Sequence, residues 1–204
     1  MKHLVTKLFF ASLLLCVKFC YAQDSVIKKH NWYVPTSAIL QHAGSIGFFS
    51  VGAGYKLNNS GNSTLDIAYG YVPAKYGGDL NILTAKFAYR PYSIRIKDWG
   101  TLYPTNPGVF LTYHAGSEFD SQWDDDNYPA GYYWWSTAFR PHISVSTEFK
   151  IDAKKLLPNL RVKAISIYSE FNTNELYGIS YFLNPNDLDI TGIFKLGIGT
   201  RVEF

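Results

Sequence analysis

From Thr191 onward the chain reads Gly-Ile-Phe-Lys-Leu-Gly-Ile-Gly-Thr-Arg-Val-Glu-Phe, a pattern with a period of two. Phe194, Leu196, Ile198, Thr200, Val202 and Phe204 share one face, and Lys195, Gly197, Gly199, Arg201 and Glu203 share the other. Only an extended strand segregates such a series. The same alternation runs through residues 44–57, 65–71, 83–89, 109–115, 139–149, 164–171 and 177–183, separated by turn-forming stretches such as Asn58-Asn-Ser-Gly-Asn62. Together with residues 194–204 these make about eight strands. Residues 151–158 are expected to form a single helical turn, and residues 93–107 a long loop. Eight antiparallel strands can close on themselves and leave no free edge. The expected fold class is therefore all-β: a closed antiparallel up-and-down β-barrel of about eight strands. No repeat or linker divides it.

The N-terminus points outward from the cytoplasm. Lys2 and Lys7 precede the apolar run Leu8-Phe-Phe-Ala-Ser-Leu-Leu-Leu-Cys-Val17, and Cys20-Tyr-Ala22 supplies small residues for cleavage. Residues 1–22 are expected to be a signal peptide and residues 23–204 the mature domain. Both cysteines, Cys16 and Cys20, fall in the leader. The mature chain then has neither a disulfide nor a thiolate metal site. Loss of Lys2, Lys7 and Lys18 takes the 19 basic residues to 16, equal to the 16 acidic ones. The net charge of +3 thus belongs to the leader, and nothing in the mature balance argues for nucleic acid.

Alternation alone leaves two arrangements open. A soluble barrel or sandwich buries the apolar face, whereas a membrane barrel turns it to lipid and points the charges into the lumen. Three features favour lipid. Aromatic residues make up 17% of the chain, and Tyr55, Tyr69, Tyr71, Tyr89, Phe149, Phe171, Tyr181 and Phe204 sit at strand ends, where headgroup-level rings are wanted. The polar faces mix signs, so Asp66, Lys86, Arg90, Arg140, Glu170, Lys195, Arg201 and Glu203, with His114, can form a paired lumen network. Glycine and serine recur between them and leave room in a narrow lumen.

The C-terminus resembles that of small bacterial outer-membrane barrel proteins, of the OmpA transmembrane-domain and OmpX type. Phe204 is the terminal aromatic residue, Val202 the apolar residue two before it, and Gly199 the glycine five before it. Gly197 stands where a polar residue is usual. The resemblance implies an outer-membrane location, the outer-membrane assembly machinery and outer-membrane lipid as partners, a monomer, and a structural, adhesion or surface-interaction role without catalysis.

Catalytic readings are weaker. His142 and Ser144 share a strand face with Glu148, the residue types of a Ser-His-acid acyl-transfer site. Residues two apart on a strand are separated by about 6–7 Å, however, so a direct hydrogen bond is not assured. The His-Ser-Asn run of outer-membrane lipid A deacylases is also absent. A lumen polar network accounts for Arg140, His142 and Glu148 with fewer assumptions. The rival readings are a lipid-acting hydrolase or acyltransferase, and a soluble lipocalin-like carrier with an apolar cavity. The acidic stretch Glu118-Phe-Asp-Ser-Gln-Trp-Asp-Asp-Asp-Asn127 lacks the alternating ligands and glycine of an EF-hand. Gly52-x-Gly54 precedes no helix and reads as strand glycine. No metal, nucleotide or other cofactor is expected. On this strand assignment the segment 118–131 falls at the same end of the barrel as the termini, where turns are normally short; an additional strand around residues 33–42 would move it.

Overall fold

The computed structural model describes residues 33–76, 78–116, 119, 136–153, 162–184, 187 and 189–204. The expected leader, most of the acidic stretch and most of residues 151–158 lie outside them; Ile151 and Asp152 are extended. The described chain forms β1 (Ser37–Ala43), β2 (Phe49–Lys56), β3 (Ser63–Val72), β4 (Leu80–Tyr89), β5 (Ile94–Ile96), β6 (Gly100–Ala115), β7 (Phe139–Asp152), β8 (Ala164–Asn174), helix α1 (Glu175–Leu183) and β9 (Lys195–Glu203).

All pairings are antiparallel. The order is β4-β3-β2-β1-β9-β8-β7-β6-β5, and β4 also pairs with β6. That last pairing closes a ring of eight strands. β5 stays outside the ring as a short ninth strand on the lower extension of β6, Ile94 opposite Leu102 and Ile96 opposite Gly100. The all-β, closed, eight-stranded expectation holds, with one extra strand.

Three assignments change. β1 is a ring strand that the alternation starting at residue 44 conceals. A 3-10 turn over Gly44–Ile46 separates it from β2, with Ala43 at φ 61°, Gly44 at 75° and Gly47 at 122°. These left-handed angles reverse the chain where the hydrophobic pattern runs on. Residues 177–183 belong to α1 and not to a strand. Asn174 caps the helix, its Oδ1 accepting the Tyr177 N–H at 2.9 Å. With Leu176, Tyr177, Ile179, Tyr181, Phe182 and Leu183 the segment is apolar on nearly all sides, so its alternation does not separate helix from strand. Residues 93–107 hold β5 and the first half of β6. Pro104 and Pro107 are accommodated by a register shift between Tyr103 and Asn106, and Thr147 Oγ1 donates to the Pro104 carbonyl at 2.8 Å. Among the described residues no helix is long and apolar enough to cross a membrane.

Burial alternates along much of β1, β3, β4, β8 and β9, and its sense is inverted relative to a water-soluble barrel. On β3, Ile67 is 44% exposed while its neighbour Asp66 is 3% exposed. Leu40, Val51, Leu83, Val109, Ile143, Ile167 and Ile198 likewise point outward and are exposed. Lys86, Arg90, Arg140, Glu148, Glu170, Arg201 and Glu203 are buried in the lumen. Outward aromatics collect toward the strand ends: Phe49, Tyr69, Tyr71 and Phe171 at the upper rim, Tyr55, Tyr89 and Phe204 at the lower. The lower rim is the end that carries the C-terminus and Ser37.

Candidate functional site: the lumen and its upper mouth

The lumen is built from residues whose side chains alternate inward from every ring strand. At mid-height, Arg201 spans to Asp66 with two bonds, Nη1 to Oδ1 at 2.9 Å and Nη2 to Oδ2 at 2.8 Å, and Nη1 also donates to Ser37 Oγ at 3.2 Å. Lys86 Nζ donates to Glu170 Oε2 at 2.9 Å. Arg90 donates to Glu148 Oε2 through Nε at 3.1 Å and Nη2 at 2.7 Å. Bidentate guanidinium–carboxylate geometry is the strongest form of such a pair. The three acids and three bases cancel. They surround a residual void of only about 10 Å³, room for about one water. Tyr168 completes the plug, its hydroxyl donating to Gln41 Oε1 at 2.9 Å.

Glycine makes this filling possible. A Cβ on Gly54 would overlap Ser37 Oγ and stand 2.5 Å from Arg201 Nη1, and one on Gly199 would overlap the Tyr168 ring. The Gly52-x-Gly54 pair is thus strand glycine serving lumen space. Gly199 has a packing reason to be glycine in addition to its place in the C-terminal pattern.

At the lower rim Glu203 accepts from Lys56 at 3.0 Å and from Lys150 at 2.8 Å. Lys56 and Lys150 are legible as polar-face residues, but their convergence on Glu203 needs ring closure. At the upper rim Arg140 Nη1 donates to Glu175 Oε1 at 2.8 Å. Glu175 is the first residue of α1, so a strand reading of that segment hides this partner. Lys195 stands apart from the buried network. It is exposed at the mouth, with its ammonium 4.9 Å from the Tyr177 ring centroid.

The candidate catalytic trio does not assemble. His142 stacks on Phe110 at 4.2 Å and places Nε2 3.1 Å from Thr112 Oγ1. Glu148 is held by Arg90, and Ser144 lies between them along β7. No hydrogen bond among the described residues joins His142 to either. His114 approaches the same Thr112 hydroxyl at 3.4 Å. Thr112, absent from the sequence candidates, is the hub of this imidazole pair.

Two concavities flank the upper rim. Inside the mouth, a cup of about 360 Å³ is walled by Phe48, Tyr76, Tyr177, Lys195, His114 and His142. The Phe48 and Tyr76 rings stack at 4.4 Å. Outside, an apolar groove of about 600 Å³ crosses the wall over β4, β6 and β7 and runs up to α1. The charged, filled lumen offers no apolar interior of the lipocalin kind among the described residues.

Compared with protein-family models, with curated proteins and with solved structures, the chain has no match.

Proposed function

We propose that this chain is a bacterial outer-membrane β-barrel whose ring spans the bilayer, with a structural, adhesion or surface-interaction role carried by its rim and loops and not by a catalytic centre. The observation that carries the reading is the inversion of the barrel: outward Leu, Ile, Val and aromatic side chains surround a lumen of paired charges. In water, so continuous an apolar surface is a strong drive to associate. In lipid it matches its solvent, and ring closure satisfies the backbone groups that lipid cannot. The strand lengths support the same reading. β3 and β4 have 10 residues each, β8 has 11 and β9 has 9, against the roughly 9–11 that a tilted spanning strand needs. The aromatic rims fit interface girdles.

The likeness to small OmpA- and OmpX-type barrels, the removable leader at residues 1–22, and recognition of Gly199, Val202 and Phe204 by the assembly machinery belong to the same proposal. A monomer in outer-membrane lipid is its simplest form, because among the described residues ring closure leaves strand edges only at the rims, on β5 and at the top of β7. Fractionation tests it together with gel migration before and after boiling. Recovery in the outer membrane, with faster migration of unboiled protein, is expected. Release in soluble form without detergent would sink the reading.

A further inference from the structure

The outer groove is not simply more apolar wall. Among the described residues, the β7–β8 ladder runs from His142–Asn174 downward, and the segment above, Phe139–Pro141, has its ladder partners on β6. Pro141 also lacks an N–H with which to continue a ladder. α1 turns off the end of β8 and rests against β7 and β8 beside this break. Among the described residues the wall therefore has a notch at its upper edge. His142 and Asn174 line both the outer groove and the cup inside the mouth, so the two spaces meet at that notch.

The groove itself is floored by outward apolar residues such as Ala85, Val109 and Ile143, and is almost wholly apolar. At its notch end the character changes. Thr173 Oγ1, Glu175 Oε2 and His142 Nδ1 are buried polar atoms with no hydrogen-bond partner among the described residues. Thr173 faces outward by alternation yet is 5% exposed, and His142 is 4% exposed. Buried polar groups are rarely left unpaired without cause, since each costs free energy. Of the eleven such atoms among the described residues, these three gather where the apolar trough ends, and so pair a polar end with an apolar length.

We infer that the groove and notch bind a membrane amphiphile presenting one acyl chain. The chain lies along Ala85, Val109 and Ile143, and a compact head enters the notch. This rests on the reading of the barrel as membrane-spanning. The head chemistry follows from the three atoms. Glu175 Oε2, the oxygen left over from the Arg140 bond, is an acceptor. The Thr173 hydroxyl and the imidazole can donate or accept. A neutral head with hydroxyl or amide groups answers all three, whereas a carboxylate head would face Glu175 with like charge.

Photolabelling tests this. The protein is refolded into phosphatidylcholine vesicles containing one of two diazirine probes with the same palmitoyl-length chain, a monoacylglycerol or a free fatty acid. Labelled peptides are then mapped by mass spectrometry. The monoacylglycerol should label the β4, β6, β7 and α1 peptides in excess over β1, β2 and β9. It should also exceed the fatty acid there by about fivefold, the factor supplied by one hydrogen bond. Gly178→Phe should abolish the excess. A Cβ at Gly178 meets nothing within 4 Å, so the ring fills the groove without straining the helix. Thr173→Val should reduce monoacylglycerol labelling to the fatty-acid level. Even labelling around the ring, or an excess that survives Gly178→Phe, overturns the groove while leaving the membrane reading intact. Absence of label from every outward strand position overturns both.

Discussion

Replacing Arg201 with methionine asks whether the barrel is held by charge balance inside it. Arg201 and Asp66 are joined by two bonds, and their side chains are 7% and 3% exposed. Methionine keeps most of the length and volume of arginine, so the cavity contribution is small. What disappears is the partner of a buried carboxylate. Breaking a buried pair from one side costs about 3–5 kcal/mol. Asp66 shares its cluster with Lys86 and Arg90, which offer partial relief, so the lower end, about 3 kcal/mol, is expected. Asp66→Leu strands the guanidinium in the same way and should cost a similar amount.

The double variant Asp66→Leu/Arg201→Met is the decisive one. It removes one charge of each sign and leaves Lys86, Arg90, Glu148 and Glu170 balanced. Replacing both members of a buried pair by apolar residues is often close to neutral, so its cost should be about 1 kcal/mol, far below the sum of the singles. The measurement is a urea titration of protein refolded in phosphatidylcholine vesicles, with the folded fraction read from the mobility of unboiled samples and extrapolated linearly. Single variants within about 0.5 kcal/mol of the parent, or a double variant as costly as the two singles together, would refute the reasoning.

Gly199→Ala should lose about 1–3 kcal/mol in the same assay, because the new methyl overlaps the Tyr168 ring and stands 2.7 Å from the Leu40 carbonyl; refolding equal to the parent in vitro, with loss only in cells, would instead make Gly199 purely an assembly signal. The parent protein should show no ion-conducting steps in a planar bilayer, given a mid-lumen void of about 10 Å³, and reproducible steps would contradict the filled lumen. A cysteine introduced between residues 120 and 126 should react on intact cells with a membrane-impermeant maleimide, and one introduced in the 58–62 turn should not; the reverse pattern would show that the termini face outward. Removing the helix cap with Asn174→Ala should cost about 1 kcal/mol and weaken protection of α1 from hydrogen exchange, and unchanged protection would deny the cap its role.

How much of the molecule is legible in its sequence follows from the range of the physics involved. Facing is local: on β3 and β9 the period of two assigns Asp66 and Arg201 to one surface and Ile67 and Ile198 to the other without any partner in view. Pairing is not local. Lys86 finds Glu170 84 residues away and Asp66 finds Arg201 135 away, and those partners depend on the register of the whole ring. Balanced signs make pairing permissible but do not choose the pairs. The upper rim is least legible, because the Arg140–Glu175 bond, the notch and the groove all depend on α1. Its cap, Asn174, is visible as a turn residue, but the run after it is apolar on alternate positions and on helical ones alike.

Alternation arrives at the right strand number through two errors that cancel, and their cancellation has a geometric consequence. In a closed up-and-down ring with an even number of strands, the first and last strands bring the termini to one rim. Omitting β1 and counting α1 as a strand keeps the number even but shifts every intervening strand by one place. Each connection between them is then assigned to the wrong rim. With β1 restored, the ends of β6 and β7 at Ala115 and Phe139 lie at the rim opposite the termini, and so do α1 and the 3-10 turn Ile190–Ile193. The long acidic connection joins that rim, as does the cup. The short 57–62 turn moves to the rim of the termini. The two longest connections, 116–138 and 175–194, thus share the rim opposite the termini, while 57–62, 90–99 with β5, and 153–163 lie at the near rim; a spanning barrel inserted from one side carries its longest segments on the far side. That placement originates in a local event that hydrophobic patterning cannot register, the left-handed backbone at Ala43, Gly44 and Gly47.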